Sequence, residues 1–335
     1  MPQQNWENLV HLAFGVTTVH DPSSTSSEIF AAGEMQRAGL IVAPRIFSSG
    51  EIVYGAKSPG RFATIESAED ALAHVRRLKA QGAHSIKNYT QPRRDQRQQV
   101  VAAALKENIA VVAEGGSLYN MDVTLIGDGN TTLEHNIPQA ALYEDLLSFF
   151  GQTKVGYTPT LGVTYGGLGG EPYWSQESQV WRHPLLTRHA PPTALQAEFV
   201  RVTQAPVEDF VDAVSARTAH QLSKRGVPVS IGAHGQQQGI AAHWELWSFV
   251  RGGMSPLEAL QAGTVTPARA LGFSDIGTLE TGKLADLVIL DANPLENIRN
   301  SEKVSKVMLN GRLYDAATMN EEVTGTRKRA AYFWE

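Results

Sequence analysis

Short runs rich in β-branched residues alternate with helical segments along most of this chain, and this alternation constrains the fold more than any other feature. A helix-like pattern at 68–81, for example, separates two such runs. Strands that alternate with helices are typical of a parallel sheet. The runs that read as strands lie at 15–19, 45–47, 84–89, 110–113, 131–133, 155–159 and 227–231. These are seven strands, where a closed parallel barrel has eight, and we predict an α/β fold of the TIM-like (β/α)8-barrel type.

The pattern changes near residue 274. Just upstream, Ser255-Pro256-Leu257-Glu258 combines a capping box with proline at the first helical position. Downstream, 283–291 alternates like a strand, and the runs 304–309 and 312–314 flank the turn dipeptide Asn310-Gly311. We therefore predict a barrel at 1–274 and a small β-rich appendage at 275–335.

Composition excludes several classes of protein. The formal charge of −5 and the isoelectric point of about 6.1 give no basic surface for nucleic acid. No apolar run is long enough for a transmembrane helix, so we expect no membrane partner. The lack of cysteine rules out disulfides, thiolate metal sites and a cysteine nucleophile. Residues 1–6 have neither a basic nor an apolar signal region, and we expect a cytoplasmic location by default.

Polar side chains follow the predicted strands. Active sites of parallel barrels lie at the carboxyl ends of the strands, so side chains there can converge on one point. Histidine nitrogen and carboxylate oxygen are the usual ligands of a hydrolytic zinc or similar ion. The residues in question are His20, Asp21, Lys87, Glu114, Glu134, His135 and His234. Their positions predict a metal or catalytic site assembled from several strands.

A long segment at 161–189, rich in glycine at its start, follows the strand at 155–159. A long loop in this position is typical of a substrate lid. We therefore expect Tyr165, which it carries, to contact substrate.

The strand-end residues also have ordinary structural interpretations. Glu114 can cap the next helix, and Lys87 can belong to a simple ion pair, since an unpaired lysine is costly to bury. His135 can be a hydrogen-bonded core histidine. His20 and Asp21 can merely shape a turn.

Two further groups of residues also have both a functional and a structural interpretation. The arginines at 93, 94 and 97 fit either a clamp for a substrate carboxylate or a solvated helix face. His243, on a predicted helix beside Trp244 and Trp247, fits packing better than metal ligation.

Two stretches of the sequence are highly specific motifs. They are Thr266-Pro267-Ala268-Arg269-Ala270-Leu271-Gly272 and Gly282-Lys283-Leu284-Ala285-Asp286-Leu287. With the stretches at 15–21, 85–87, 133–135 and 255–260, they resemble the amidohydrolase superfamily, in its imidazolonepropionase-like and prolidase-like branch. The sequences at 91–99 and 232–236 are similar to those of amidohydrolase domains fused to TolB-like propellers. The resemblance implies a distorted (β/α)8 barrel with a small β-sandwich that hydrolyses amide or related bonds with one or two divalent metals.

The resemblance implies metal-binding roles for four residues. Lys87 matches a lysine that is often carboxylated by CO2 to bridge two metals, and His135 matches a metal-binding histidine on the sixth barrel strand. Glu114 stands where the family's fifth strand has histidine. His234 stands where the eighth strand has the aspartate that binds metal and accepts the water's proton. Both replacements can bind metal, and a neutral imidazole can act as a base near neutral pH.

The family's opening pattern has no counterpart here. Its His-x-His pair on the first barrel strand is absent from the sequence, and so is the first half of the β-sandwich. We therefore expect a barrel lacking its first strand, a partial C-terminal β-sandwich and no full binuclear site. The chain is then a fragment of a longer protein or a natural truncated form, and the resemblance also allows an extracytoplasmic location.

Two functions follow from these observations. The first is a metal-dependent hydrolase that cleaves an amide bond of a small peptide or N-acyl compound, or an ester, with zinc as the expected metal and His234 or Glu114 as the proton shuttle. The expected metal ligands are Lys87, Glu114, His135 and His234, and the expected substrate contacts are Arg93, Tyr165 and His20. The second function is that of a catalytically silent barrel remnant that serves as an interaction module.

The missing strand also has a consequence for assembly. The strands at 15–19 and 227–231 would each have an unpaired edge, and such edges invite pairing with another chain. We expect either that residues near 6–13 fill the gap or that a homo-oligomer forms there.

Overall fold

The computed structural model describes residues 3–56, 60, 62–116, 118–199, 203–323, 325 and 327–335. Its strands are β1 (Thr18–Asp21), β2 (Arg45–Ser48), β3 (Ile52–Tyr54), β4 (Phe62–Thr64), β5 (Ser85–Asn88), β6 (Ala110–Glu114), β7 (Thr132–Glu134), β8 (Gly156–Thr158), β9 (Leu287–Leu290), β10 (Val304–Leu309) and β11 (Arg312–Asp315). Its α-helices are α1 (Trp6–Ala13), α2 (Ser26–Arg37), α3 (Ala68–Ala80), α4 (Arg94–Lys106), α5 (Tyr119–Gly127), α6 (Glu144–Gly151), α7 (Gly170–Ser178), α8 (Pro184–His189), α9 (Pro192–Phe199), α10 (Asp212–Ser223), α11 (Ile240–Arg251), α12 (Pro256–Ala262) and α13 (Val265–Ala270). Short 3-10 turns lie at Leu161–Val163, Val180–Arg182, Val207–Asp209 and Ile298–Glu302.

A parallel sheet in the order β4-β3-β5-β6-β7-β8 forms the centre of the fold. The parallel pair β1-β2 extends it, because the N–H of His84, just before β5, donates to the carbonyl of Ser48 at the end of β2, at 2.9 Å. The helices that connect successive strands pack against one face of this sheet. This alternation of parallel strands and helices confirms the predicted α/β class and is consistent with a TIM-like barrel.

The segment 227–231 differs from its prediction as a full strand. It joins β8 only through a single parallel bridge between Tyr157 and Val229. Pro228 has no N–H to donate, and the N–H of Ile231 donates instead to the carbonyl of Ala262 at the end of α12, at 2.9 Å. The segment therefore approaches the sheet in the predicted order without forming a regular ladder.

Two further sequence predictions need correction. No strand is predicted at β3 and β4, because residues 55–60 between them include two glycines and a proline and indicate a loop. The segment 161–189, expected to be a loop, contains α7 and α8, and the Gly-rich part is confined to its first ten residues. Proline at the first position of α8 and the side chain of His183 as its N-cap explain this second helix.

Among the described strands, β1 pairs only with β2. Residues 6–13, which we expect either to fill the gap or to border a homo-oligomer contact, form α1. Val10 and the following Phe14 enter the main apolar core, while Leu9 and Leu12 pack on the C-terminal sheet. Helix α1 therefore joins the two parts of the fold rather than adding a strand.

The C-terminal part is a three-stranded antiparallel sheet in the order β11-β10-β9. Asn310 and Gly311 both have positive φ, 52° and 73°, as a type I′ turn requires, which confirms the predicted hairpin. Arg45 and Asp286 link this sheet to the barrel by an ion pair of 2.6 Å. No helix of the described residues has both the length and the apolar character that a membrane span needs.

The contact of α1 with the C-terminal sheet gives a stability prediction. Replacing the fully buried Leu12 with alanine should lower the free energy of unfolding by about 2–5 kcal/mol, because it leaves a cavity between α1 and β10. The same change at Leu105, which is 80% exposed, should alter it by less than about 0.5 kcal/mol. Urea unfolding of both variants measures this, and equal effects would show that α1 does not pack as described.

Candidate active site

A buried ion pair lies at the carboxyl end of the central sheet. Lys87 on β5 and Glu114 at the end of β6 approach to 2.5 Å between Nζ and Oε2, and the lysine side chain is only 2% exposed. Lys87 is in register with Val112, so Glu114 lies two residues further along the neighbouring strand and on the same face. Either charge alone would be costly at this depth, and each compensates the other.

His135 extends this pair to a third residue. It follows β7 directly, and its Nε2 lies 3.1 Å from Oε1 of Glu114. Its φ of 69° is the left-handed conformation that residues other than glycine rarely adopt, and such strain clusters at functional sites. Nδ1 of the same ring is buried and has no hydrogen-bond partner.

The pKa of Glu114 reflects both neighbours. Burial opposes its ionisation, but the hydrogen bond from His135 and the charge of Lys87 outweigh burial and lower the pKa to about 2. The carboxylate is therefore ionised at any physiological pH.

His234 stands beside this group. Its ring centroid is 5.2 Å from that of His135, and its Nδ1 is 2.9 Å from the side-chain oxygen of Gln236. Although part of the residue is exposed, partial burial lowers its pKa. A lowered pKa keeps the ring neutral at pH 7, which is the form that binds metal or accepts a proton.

The structure thus brings together the four residues expected to bind metal, but only as a chain of pairwise contacts. No group of three or more His, Asp or Glu side chains in the described part of the chain is close enough to enclose an ion as it stands. The donor types nevertheless fit a single divalent ion, since Glu114 is ionised, His234 is neutral and Nδ1 of His135 has no partner.

The other strand-end residues lie in the same layer without joining this group. His20 Nε2 is 2.8 Å from the hydroxyl of Ser85, two residues before Lys87, and burial, with the nearby His84 and Lys87, lowers the His20 pKa to about 3. Asp21 accepts a bond of 2.9 Å from the Ser23 N–H, which supports its turn-shaping interpretation. The buried Glu134 accepts from Thr132 Oγ1 at 2.5 Å, and burial raises its pKa.

The arginines at 93, 94 and 97 make different contacts. Arg93, expected to contact substrate, instead pairs with Asp95 on the surface at 2.6 Å and is not brought to the site. Arg94 likewise pairs with Asp128. Arg97 is buried and donates to the carbonyl of Gln91, so it shapes the loop that follows β5. The buried His243 bonds to the Phe14 carbonyl and to Ser301, which agrees with a packing role.

Tyr165 does lie at the site. Its ring is 5.3 Å from that of His135, edge to face. The Asn136 side chain fixes its backbone by accepting from the Tyr165 N–H at 2.6 Å and donating to its carbonyl at 3.0 Å. The ring lies so close to Gly116 that a Cβ there would come within 2.3 Å of it. Tyr165 therefore covers the Glu114–His135 pair from the side of β8.

Glu245, on α11, is a site residue that the sequence did not reveal. It is 2% exposed, and its carboxylate accepts from the backbone N–H of Leu161 at 2.5 Å, of Gly232 at 2.6 Å and of Ala233. It thus fixes the loop before His234 to the loop that leads to Tyr165. Sequence reasoning missed it because it lies in an apolar helix, far along the chain from Leu161.

Asp122, on α5, supports the loop after Glu114. It accepts from the Gly116 N–H at 3.0 Å, while its second oxygen is buried without a partner. Burial raises its pKa from 3.8 to about 7. A carboxyl group with these properties is protonated in the folded protein under mildly acidic conditions.

Replacing Glu245 with glutamine tests its role in holding the two loops. The change puts an amide donor against backbone donors, so it should cost about 2–4 kcal/mol of unfolding free energy and speed hydrogen exchange at Gly232 and Ala233. Glu321→Gln is the matched control, since Glu321 is equally buried but pairs with Arg312 in the C-terminal sheet. Unchanged exchange at Gly232 and Ala233 in Glu245→Gln would refute the role.

Asp122 predicts a pH dependence of stability. The folded pKa of about 7 lies above 3.8, so between about pH 4 and pH 7 the folded protein keeps a proton that the unfolded chain has lost. Raising the pH through this window therefore removes stability, on the order of 2 kcal/mol. Urea unfolding at pH 5 and pH 8 should show a smaller difference for Asp122→Asn than for the wild type. An identical difference in both would count against a raised Asp122 pKa.

Comparisons with known proteins agree with this architecture. Residues 180–314 match the model of the Amidohydrolase family. A stretch of 96 residues is 33% identical to ochratoxinase of Aspergillus niger, and it covers 27% of this chain and 20% of that protein, so the alignment spans about a fifth of the relative.

Solved structures resemble the chain over most of its length. A Xaa-Pro dipeptidase has a TM-score of 0.69 at 20% identity, covering 92% of this chain and 77% of its own. Phenylurea hydrolase B has a TM-score of 0.69 at 21% identity, covering 94% and 77%, and the A. niger ochratoxinase structure has 0.66 at 21%, covering 92% and 74%. These likenesses show that the chain shares the fold of these hydrolases, and the Amidohydrolase family model matches residues 180–314 of it.

Proposed function

We propose that the chain is a metal-dependent hydrolase that cleaves a carbon–nitrogen amide bond, in a small peptide or an N-acyl compound. One observation carries the proposal, namely that Glu114 is held ionised between Lys87 and His135 at the open end of a parallel sheet. The names of similar proteins support the reaction type, since they include a Xaa-Pro dipeptidase, an ochratoxinase and a phenylurea hydrolase. An ester would undergo the same chemistry.

Glu114, His135 and His234 would hold the metal, and zinc suits a set of one carboxylate and two imidazoles. When bound, such an ion supplies Lewis-acid polarisation and a lowered pKa of its water. A shift of His234 toward its neighbours is needed to complete the ligand set, because the two rings now lie 5.2 Å apart. Its position on an exposed loop beside Gly235 permits that shift.

The chain's own residues supply the remaining steps. A neutral His234 that is not itself bound to the ion can accept the proton of the attacking water and return it to the leaving amine. If His234 does not act as the base, Glu114 is the alternative shuttle. Tyr165 shields the reacting group from solvent on one side, and Glu245 keeps the loops of His234 and Tyr165 in a fixed relation.

Lys87 has two alternative states with different consequences. As an ammonium it compensates the charge of Glu114 across 2.5 Å. Carboxylation would place a second anion against Glu114, which requires a cation between them. We therefore propose an unmodified Lys87 in the metal-free chain and carboxylation only together with metal, and intact mass measured with and without zinc tests this by the addition of one CO2.

A second function, a silent barrel remnant, has one specific observation in its favour. The described residues enclose no ion as they stand, and Lys87 already compensates the charge of Glu114. A remnant would keep no stoichiometric divalent ion after dialysis and would hydrolyse nothing.

The hydrolase proposal predicts a loss of activity on removing either the ion or a ligand. A chelator should abolish hydrolysis of an N-acyl amino acid panel, and His135→Ala should lower kcat/KM at least about 100-fold. His74→Ala, on α3 and bonded to Arg77, is the matched control and should keep full activity. Activity that survives both the chelator and His135→Ala would contradict the metal mechanism.

A further inference from the structure

Three aromatic rings, which we call the aromatic trio, pack together at the rim of the central sheet. Tyr54 ends β3, Phe62 begins β4 and Tyr89 follows β5. Their centroids lie 5.4, 5.6 and 5.9 Å apart, and Tyr89 meets the other two edge to face. All three are half-buried, and none belongs to the buried apolar clusters of the described residues.

The strand register puts the trio on the face of the sheet that carries Lys87. Ile52 pairs with Lys87 on one side and with Phe62 on the other. Residues two apart on a strand share a face. Tyr54 is two residues after Ile52, and Tyr89 is two residues after Lys87, so all three aromatic residues belong to this face.

The same register brings the trio next to Glu114. Asn88 pairs with Ala113, so Tyr89, which follows β5, and Glu114, at the end of β6, come directly after this pair. Neighbouring strands lie about 5 Å apart. The trio therefore borders the Lys87–Glu114 pair on the side opposite Tyr165, at the open end through which a substrate would enter.

The chemistry of this surface favours a flat aromatic ligand. Apolar rings gathered at the mouth of a polar site, and not in a core, mark a place where a ligand covers them. Aromatic groups pack on one another edge to face or offset, and an alkyl group of the same size lacks this preference. A cation could also lie on a ring face. The Lys87 ammonium on the same side of the sheet disfavours a cationic ligand there.

We infer that Tyr54, Phe62 and Tyr89 form the subsite for an aryl group attached to the scissile amide, an inference that rests on the hydrolase activity proposed above. The substrate class is thereby narrowed to aryl-bearing amides. The aryl group would lie over the trio, while the amide carbon extends toward Glu114 and His135.

Binding of two matched probes tests the subsite without catalysis. Benzoate and cyclohexanecarboxylate have the same charge and ring size, so calorimetry on the full chain compares an aryl with an alkyl ring directly. Benzoate should bind about 3- to 10-fold more tightly. Phe62→Leu should reduce this preference below about 2-fold, whereas Phe333→Leu, at an exposed ring in the C-terminal tail, should keep it.

A second substitution guards against simple misfolding. Tyr89→Phe keeps the ring and should keep the preference for benzoate, while Tyr89→Leu should lose it. Equal binding of both probes by the wild type, a preference unaffected by Phe62→Leu, or tighter binding of tetramethylammonium than of benzoate would each overturn the aryl subsite.

Hydrolysis separates this inference from the proposed function. N-benzoylglycine should have a higher kcat/KM than N-cyclohexanecarbonylglycine by a similar factor, and Phe62→Leu should remove the difference. If benzoate is preferred but neither amide is cleaved, the subsite stands and the hydrolase proposal fails. If both amides are cleaved equally by the wild type, the hydrolase stands and the subsite fails.

Discussion

The buried ion pair of Lys87 and Glu114 is the interaction on which the rest of the site depends. Both side chains lie where an isolated charge would be strongly disfavoured, so each is tolerated only because the other is within 2.5 Å. The pair keeps Glu114 ionised, and the ionised carboxylate in turn orients His135. The lysine thereby holds in place the carboxylate and the histidine that the proposed metal would use.

Buried side chains that hydrogen-bond to backbone groups also hold the loops around the site in place. Asn136 clamps the peptide groups of Tyr165, and Glu245 gathers N–H groups from two loops. Because these contacts originate on regular elements, they fix loops that carry functional side chains. The site therefore combines strand-end residues with His234, which lies on an exposed loop and contacts Gln236.

The sequence allowed prediction of those features that follow from local pattern. Polar residues at strand ends predicted the convergence of Lys87, Glu114 and His135, because the carboxyl ends of parallel strands meet at one edge of the sheet. Asn310-Gly311 predicted the hairpin, because a tight turn depends on adjacent residues. The strands β3 and β4 flank a stretch with two glycines and a proline, which indicates a loop rather than paired strands. Glu245 and Leu161 are 84 residues apart, so their contact depends on helix packing that no local pattern encodes. Arg93 does not reach the site because it pairs with Asp95, two residues along the chain, on the surface.

Zinc binding by the dialysed protein tests the central claim most directly. Metal analysis after equilibrium dialysis should find one zinc ion per chain in the wild type and in Glu107→Gln, an outlying glutamate that pairs with Arg76. It should find none in Glu114→Gln, with circular dichroism confirming that the variant is folded. A wild-type protein without zinc, or a Glu114→Gln variant that binds it equally well, would contradict the account.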